Sequence, residues 1–359
     1  MTRLYLIRHA EAEGNLYRIA QGQANSNLTD RGWRQVRALE RRFADIPIDA
    51  VYASDLYRTC ATASAVYKPK GLPLHRERTL REIGLGVWEH RAWGEIYRRW
   101  PEEMEHFSRR PDLWRLEGAE DPRAARARVL DTLRRIAAEN AGRTVAVFTH
   151  GYVLRMTLSY LQGYDLDQIG RTPTGDNTAV SLVEAEGEDL RVVFRDDNSH
   201  LKTPEYLAGE REARRANGLE VGLWFAPLDA RQQGETVRAL AAAIWPGEHL
   251  NPLLADAADW ETLAGYLGEE PVGLVQMEPG SGWVSLLGLL PEHRHRSLGV
   301  QLLGQAVQRI REAGGETLRA HNPKSAEARS FCETYGFRLA PDGRTVEKRI
   351  AFDPEFVSP

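Results

Sequence analysis

The chain has 359 residues, 42% hydrophobic and 27% charged, with a formal net charge of -4. That length implies two domains of a soluble globular protein, the weakly acidic balance argues against nucleic acid as a partner, and no apolar run approaches the roughly 20 residues of a membrane span. The 2 cysteines, Cys60 and Cys332, fall in different halves and no signal-peptide pattern precedes the first strand, so the expected setting is a reducing cytoplasm without disulfides.

In chain order, Leu4-Tyr5-Leu6-Ile7 reads as a short buried strand, and Arg8-His9 follows where it opens into a loop. Thr29 is placed to cap a helix carrying Trp33, Val36, Leu39 and Phe43 at helical spacing. Ala50 to Ala53 is a second strand, and Ser54-Asp55 starts a helix that bears Arg58 near its beginning. A short strand at Pro73-Leu74-His75 is followed by a loop over Leu80 to Trp88. The stretch Trp93 to Phe107 is helical but broken at Pro101, and Arg123 to Asn140 is a long amphipathic helix. Thr144 to Thr149 is the continuous apolar run of a central parallel strand. His150-Gly151 stands at its carboxyl end, before another helix. Strand patterns around Glu186-Gly187-Glu188 close this half as a hairpin. The alternation of strands and helices predicts a mostly parallel sheet with helices on both faces.

Loops at the carboxyl ends of such strands are where ligands bind. A phosphate there needs positive charge spread over its oxygens, and Arg8, Arg58 and His150 supply it. His9 is the candidate nucleophile, attacking as neutral imidazole while its other nitrogen donates to a carbonyl. Glu82 is the candidate general acid and base. Asn15 and Gln21, with Gly22, are candidate substrate contacts, and the backbone of Gly151 adds a donor at a helix start. These groups do the charge work, so no metal is expected. Glu11 and Glu13 are expected near the mouth, where they would disfavour a highly anionic substrate.

Leu6-Ile7-Arg8-His9-Ala10-Glu11, Leu28-Thr29-Asp30-Arg31-Gly32, Ser54-Asp55-Leu56-Tyr57-Arg58-Thr59, Leu80-Arg81-Glu82-Ile83, Gly86-Val87-Trp88-Glu89 and Thr149-His150-Gly151 come in this order. As an ordered set they resemble the histidine phosphatase superfamily, in its phosphoglycerate-mutase-like branch, over roughly the first 200 residues. The resemblance implies a phosphohistidine at His9 and a small-molecule phosphomonoester as substrate. It departs at Ala10, where the family has glycine. Mutases of the family carry a longer insertion after the catalytic acid. The short segment here, with Arg98, Arg99, Arg109 and Arg110, favours hydrolysis over isomerisation.

The polar stretch from Asp196 to Gly218 lacks the apolar residues of a core, and residues 205–218 are read as a linker between domains at 1–204 and 219–359. In the second half, a strand ending at Leu289-Leu290-Pro291 enters a basic turn, His293-Arg294-His295-Arg296-Ser297-Leu298-Gly299, and then a helix through Leu302, Leu303, Ala306, Val307 and Ile310. Strand, basic turn and helix start make a pyrophosphate-cradling arrangement. With Asn322, Ala328 and Phe331-Cys332-Glu333-Thr334-Tyr335-Gly336-Phe337, this order resembles GNAT-type N-acetyltransferases. That resemblance implies a mixed α+β domain binding acetyl-CoA or CoA through Leu289, Arg294 to Gly299 and Asn322, with an amine as acceptor. Ser297 stands where the family has a glycine, and Cys332 where it often has the tyrosine that protonates the leaving thiolate.

The expectation is therefore a metal-independent phosphatase fused to an acetyl-CoA-dependent N-acetyltransferase. The alternatives are a phosphoglycerate mutase, and a phosphatase regulated by a non-catalytic CoA-binding or partner-binding second domain. The natural substrate, the acetyl acceptor and the oligomeric state are not readable from the residues.

Overall fold

A computed structural model describes residues 1–210, 222–229, 233–246 and 260–357. The first half is built on strands β1 (Thr2–Arg8), β2 (Ala50–Ala53), β3 (Leu74–Arg76), β4 (Thr144–Thr149), β5 (Val180–Glu186) and β6 (Asp189–Asp197), in the sheet order β3-β2-β4-β1-β5-β6. The first four of that order run parallel, and β5 and β6 join antiparallel as the expected hairpin. The helices are α1 (Glu13–Tyr17), α2 (Asp30–Phe43), α3 (Tyr57–Lys70), α4 (Trp93–Arg99), α5 (Pro101–Arg109), α6 (Pro122–Glu139), α7 (Gly151–Leu161) and α8 (Pro204–Leu207).

Alternation along β1 sorts the core into two layers. Leu4 and Leu6 pack with Val129, Leu133 and Ile136 of α6 and Val153 and Met156 of α7. Ile7 packs on the other face with Val36, Leu39 and Phe43 of α2 and Cys60 and Ala61 of α3. Thr29 caps α2 by accepting the backbone N–H of Gly32. Pro101 begins α5 rather than interrupting one helix, since proline needs no N–H partner at a helix start.

The polar stretch after β6 is less detached than its composition implies. Glu210 pairs with Arg31 and Arg34 of α2, and Tyr206 is buried. Residues 211–218 of the expected linker lie outside the described residues.

The second sheet holds β7 (Trp224–Pro227), β8 (Glu261–Leu267), β9 (Glu270–Glu278), β10 (Trp283–Leu289), β11 (Thr317–His321), β12 (Arg338–Leu339) and β13 (Thr345–Arg349), in the order β12-β13-β11-β10-β9-β8-β7. Helix α9 (Gly234–Ile244) covers one face through Val237, Leu240 and Ile244, and α10 (Gly299–Glu312) covers the other through Leu302, Leu303 and Ile310. Helix α11 (Ala326–Thr334) follows β11. Strands β10 and β11 are parallel but pair only at Trp283–Arg319 and Val284–Ala320, so their carboxyl ends part.

The halves are docked closely. Tyr17 and Ile19 belong to the same apolar cluster as α10. Arg311 of α10 pairs with the buried Glu13 at 3.0 Å. The tail returns to the first half, where Phe352 and Phe356 pack against Tyr57 and Trp33. Among the described residues, no helix is long and apolar enough to cross a membrane.

Candidate active site

The parallel register places Arg8 opposite Thr149 at the carboxyl ends of β1 and β4. The next residue of each strand is a histidine, and the rings of His9 and His150 lie 5.4 Å apart. His9 Nδ1 is 2.7 Å from the Ala10 carbonyl, which makes Nδ1 the protonated nitrogen and leaves Nε2 with its lone pair. Burial first, then the positive charges of Arg58 and Arg8, hold the His9 pKa well below its ordinary value, so the imidazole is neutral.

Arg58 is almost fully buried near the start of α3. It donates to the carbonyls of Ala24 and Gly22 at 2.7 and 2.8 Å, and burial lowers its pKa to about 10. Arg8 donates to the Gly175 carbonyl. His150 Nε2 lies 2.9 Å from Ser54 Oγ, and burial, followed by the charge of Arg58, pushes the His150 pKa well down. After these contacts Arg8 Nε, Arg58 Nε and His150 Nδ1 are buried without a partner. Buried N–H groups are rarely left so, and several gathered around one neutral imidazole make a candidate site for an anion.

Glu82 reaches the start of α7. Its Oε1 accepts the backbone N–H groups of Ile83 and Val153 at 3.0 Å, and its Oε2 accepts that of Tyr152 at 2.9 Å. Its neighbour Arg81 turns away to Asp55, so the adjacent pair in sequence is not a pair in space. Gly151 has a steric task. A Cβ there would sit 2.9 Å from Arg8 Nε and 3.0 Å from Cζ, where the guanidinium lies.

Asn15 is half-buried and its Oδ1 accepts the N–H of Ala12 at 3.0 Å. Gln21 lies against Gly14 and lines a pocket shared with α10. Glu11 bonds Arg31 and Thr29, and Glu13 pairs with Arg311, so each of the two carboxylates expected near the mouth is neutralised by an arginine. The arginines after Trp88 are likewise committed, Arg98 to Glu269 and Trp224, Arg99 to Glu95, Arg109 to Glu105 and Arg110 to Asp112.

Three supporting residues had no signal in sequence. Asn177 Nδ2 donates to the His9 carbonyl at 3.0 Å. Thr62 Oγ1 accepts the N–H of Ala10 at 2.9 Å. Arg128 donates to the carbonyls of Thr79, Arg81 and Glu82. Only Ser54 stood in a recognised stretch, and its polar side chain directly after a strand was the available clue.

Comparison with known proteins decides the family. The model of the histidine phosphatase superfamily (branch 1) matches residues 4–198, more than half of the chain. The chain belongs to this superfamily. It is an enzyme of the histidine phosphatase type, with a second region, residues 234–337, that matches the acetyltransferase (GNAT) family. Phosphoserine phosphatase 1 of Hydrogenobacter thermophilus is 28% identical over 52% of this chain and 88% of its own length. The metal-independent phosphoserine phosphatase of Arabidopsis thaliana is 31% identical over 58% of this chain and 86% of its own. "Probable phosphoglycerate mutase GpmB" of Photorhabdus laumondii is 30% identical over 45% and 76%. Among solved structures, Bacillus stearothermophilus YhfR superposes with a TM-score of 0.54 at 31% identity, covering 56% of this chain and all of that one. The histidine phosphatase fold thus accounts for the first sheet, and its strand ends hold the cluster just described.

In the GNAT domain the basic turn has an uncommon backbone. His295 and Ser297 both adopt left-handed φ, 57° and 56°. Non-glycine residues at such angles cost about 1–2 kcal/mol each. Arg294 before them is extended and Leu298 after them is right-handed; a left-handed residue next to a right-handed one is the conformation of an anion-binding backbone nest, and no side chain caps α10 at its start. The side chains are less available. Arg294 donates to the carbonyls of Leu289 and Ile244, Arg296 contacts His293, and His295 lies 3.2 Å from Glu327. Leu289 and Leu298 are core residues, a Cβ at Gly299 would meet Phe331, and the Asn322 amide donates to Gly343.

Proposed function

We propose that the first domain, residues 1–204, hydrolyses a phosphomonoester through a phosphohistidine at His9, without a metal. The observation that carries this is the trio of unpartnered buried nitrogens, Arg8 Nε, Arg58 Nε and His150 Nδ1, around a neutral His9. A phosphoryl group would complete their bonding. His9 Nε2 attacks phosphorus in line and the ester oxygen leaves, protonated from Glu82. Water then attacks the phosphohistidine, giving its proton to Glu82 and releasing phosphate. The Nδ2 of Asn15 and the amide of Gly151 are further donors to the phosphate, and the Gly22 carbonyl steadies Arg58.

Hydrolysis is favoured over phosphoglycerate isomerisation because the segment after Trp88 is built into the core. Phe107 and Trp114 pack on Trp88, and Arg98 is held by the second half. Phosphoserine is the first substrate to try, on the strength of the relatives' names. Phosphate release from phosphoserine, an aryl phosphate and 3-phosphoglycerate, in chelator and with His9→Ala alongside, tests the reading. Release by wild type but not by His9→Ala supports it. Faster formation of 2-phosphoglycerate than of phosphate would replace it with the mutase reading.

The second reading concerns residues 219–359. The left-handed turn and the uncapped start of α10 suit the pyrophosphate of CoA through backbone donors, in place of the committed Arg294 side chain. Bound there, acetyl-CoA would supply an activated acetyl group for an amine. Burial pushes the Cys332 thiol up to about 11, so it is protonated at neutral pH, as a proton donor to a leaving thiolate must be. Calorimetric titration with CoA, against the Gly299→Asp variant, tests this reading.

A further inference from the structure

A cavity of about 330 Å³ lies where the segment after Glu82 meets α10 and the edge of the second sheet. A second pocket of about 160 Å³ shares His90, Gln308 and Glu312 with it. A water molecule takes about 30 Å³ of liquid volume, so the larger space has room for a small metabolite. None of Arg8, His9, Arg58 and His150 lines either pocket, and neither do residues 294–299.

The polar lining of this junction is incomplete. Gln305 is only 8% exposed, lines the larger cavity and makes no side-chain hydrogen bond among the described residues. Gln308 donates Nε2 to Glu312 at 2.9 Å, which orients its amide and leaves its buried Oε1 without a donor. From the other half, Gln21 lines the smaller pocket, and its buried Oε1 also lacks a partner. Glu312, at the exposed rim, is in no ion pair among the described residues, because Arg309 and Arg311 are taken by Glu261 and Glu13. Buried acceptors without donors are costly, and here they sit beside a carboxylate that no cation pairs with among the described residues.

We propose that this junction binds a small primary ammonium compound carrying at least one further N–H or O–H donor. Glu312 and Gln308 Oε1 receive the ammonium group, and the Gln305 amide receives the second donor. The site is tied to the phosphatase loop. Glu89 lines the larger cavity and accepts the N–H of Gln23, whose Nε2 donates to the Glu82 carbonyl.

The test is calorimetric titration of the full chain with ethanolamine and with putrescine, using ethylene glycol as the uncharged control, up to about 20 mM. Both amines are expected to bind and ethylene glycol is not. Glu312→Gln, Gln308→Leu and Gln305→Leu are each expected to weaken ethanolamine binding by about tenfold or more. Aryl-phosphate turnover near the wild-type rate identifies the variants that are folded, and any one of them suffices for the comparison. Failure of both amines to bind, equal binding of ethylene glycol, or undiminished binding in the folded variants overturns the proposal.

Discussion

Ser54 Oγ and His150 Nε2, 96 positions apart in the chain, lie 2.9 Å from each other with both side chains fully buried. This contact occupies one nitrogen of the ring and leaves the other, Nδ1, buried without a partner, which the proposed mechanism assigns to a phosphate oxygen. Ser54→Ala leaves Nε2 buried without a partner, a loss of about 1–3 kcal/mol. Aryl-phosphate kcat/KM is expected to fall by about ten- to a hundredfold, with Ser54→Thr restoring part of it. Steady-state kinetics on the two variants decide, and an unchanged kcat/KM in Ser54→Ala would remove the contact from the mechanism.

Gly151→Ala separates activity from stability. The added methyl meets the Arg8 guanidinium at 2.9 Å and must displace it. Alanine is otherwise well suited to the first turn of α7. The melting temperature is expected to change by no more than about 2 °C, while kcat/KM falls by about tenfold or more. A matched loss of both would mean that the substitution acts by unfolding the helix start.

The docking of the two halves depends on the small size of Gly304. A Cβ at that point of α10 would lie 2.4 Å from Tyr17 Cβ. Gly304→Ala is expected to destabilise the chain by about 1–3 kcal/mol through overpacking, despite the higher helix propensity of alanine. Combining it with Tyr17→Gly, which removes the opposing Cβ, should cost less than the sum of the two single changes, the sign of a direct contact. Urea unfolding of the double-mutant cycle measures this coupling, and strict additivity would count against it.

Ser297 holds φ at 56°, a conformation in which glycine carries no Cβ penalty. Ser297→Gly is expected to stabilise the chain by up to about 1 kcal/mol, whereas Ser297→Ala, which keeps the Cβ, is not. Thermal unfolding compares the two. Equal melting temperatures for the variants would mean that the turn is not strained at this residue.

His200 supplies a pH dependence. Its Nδ1 faces Arg42 and its Nε2 faces Thr178, and burial, then Arg42, lowers its pKa from 6.5 to about 4. The folded state thus binds fewer protons than the unfolded state between these values. Stability from this residue is complete above about pH 6.5 and is lost as pH falls toward 4, by up to about 3 kcal/mol. His200→Gln is expected to flatten the acid limb of a stability-against-pH curve. A curve parallel to wild type would show that other groups govern that limb.

Legibility differed by the range of the interactions. The strands ending at Arg8 and Thr149, the helix start at Thr29 and the break at Pro101 follow from a few neighbouring residues, and the fold contains each of them. The cluster of Arg8, His9, Arg58 and His150 could be named because strand ends in a parallel sheet converge. Glu11 and Glu13 show where such reading stops. Their partners Arg31 and Arg311 lie on helices whose docking no local pattern states. The burial of Tyr206 in a polar stretch has the same origin.

By itself the sequence determined the two-sheet plan, the family motifs and the residue types at the candidate phosphate site, since hydrophobic period, caps and turn residues act over a few positions. Only the tertiary structure decided that Ser54 takes one nitrogen of His150, that Gly151 makes room for Arg8, that Gly304 receives Tyr17, and that orphaned amides face a cavity between the halves. Each of those depends on register and close packing between segments far apart in the chain, where a shift of one methyl group changes which contacts are possible.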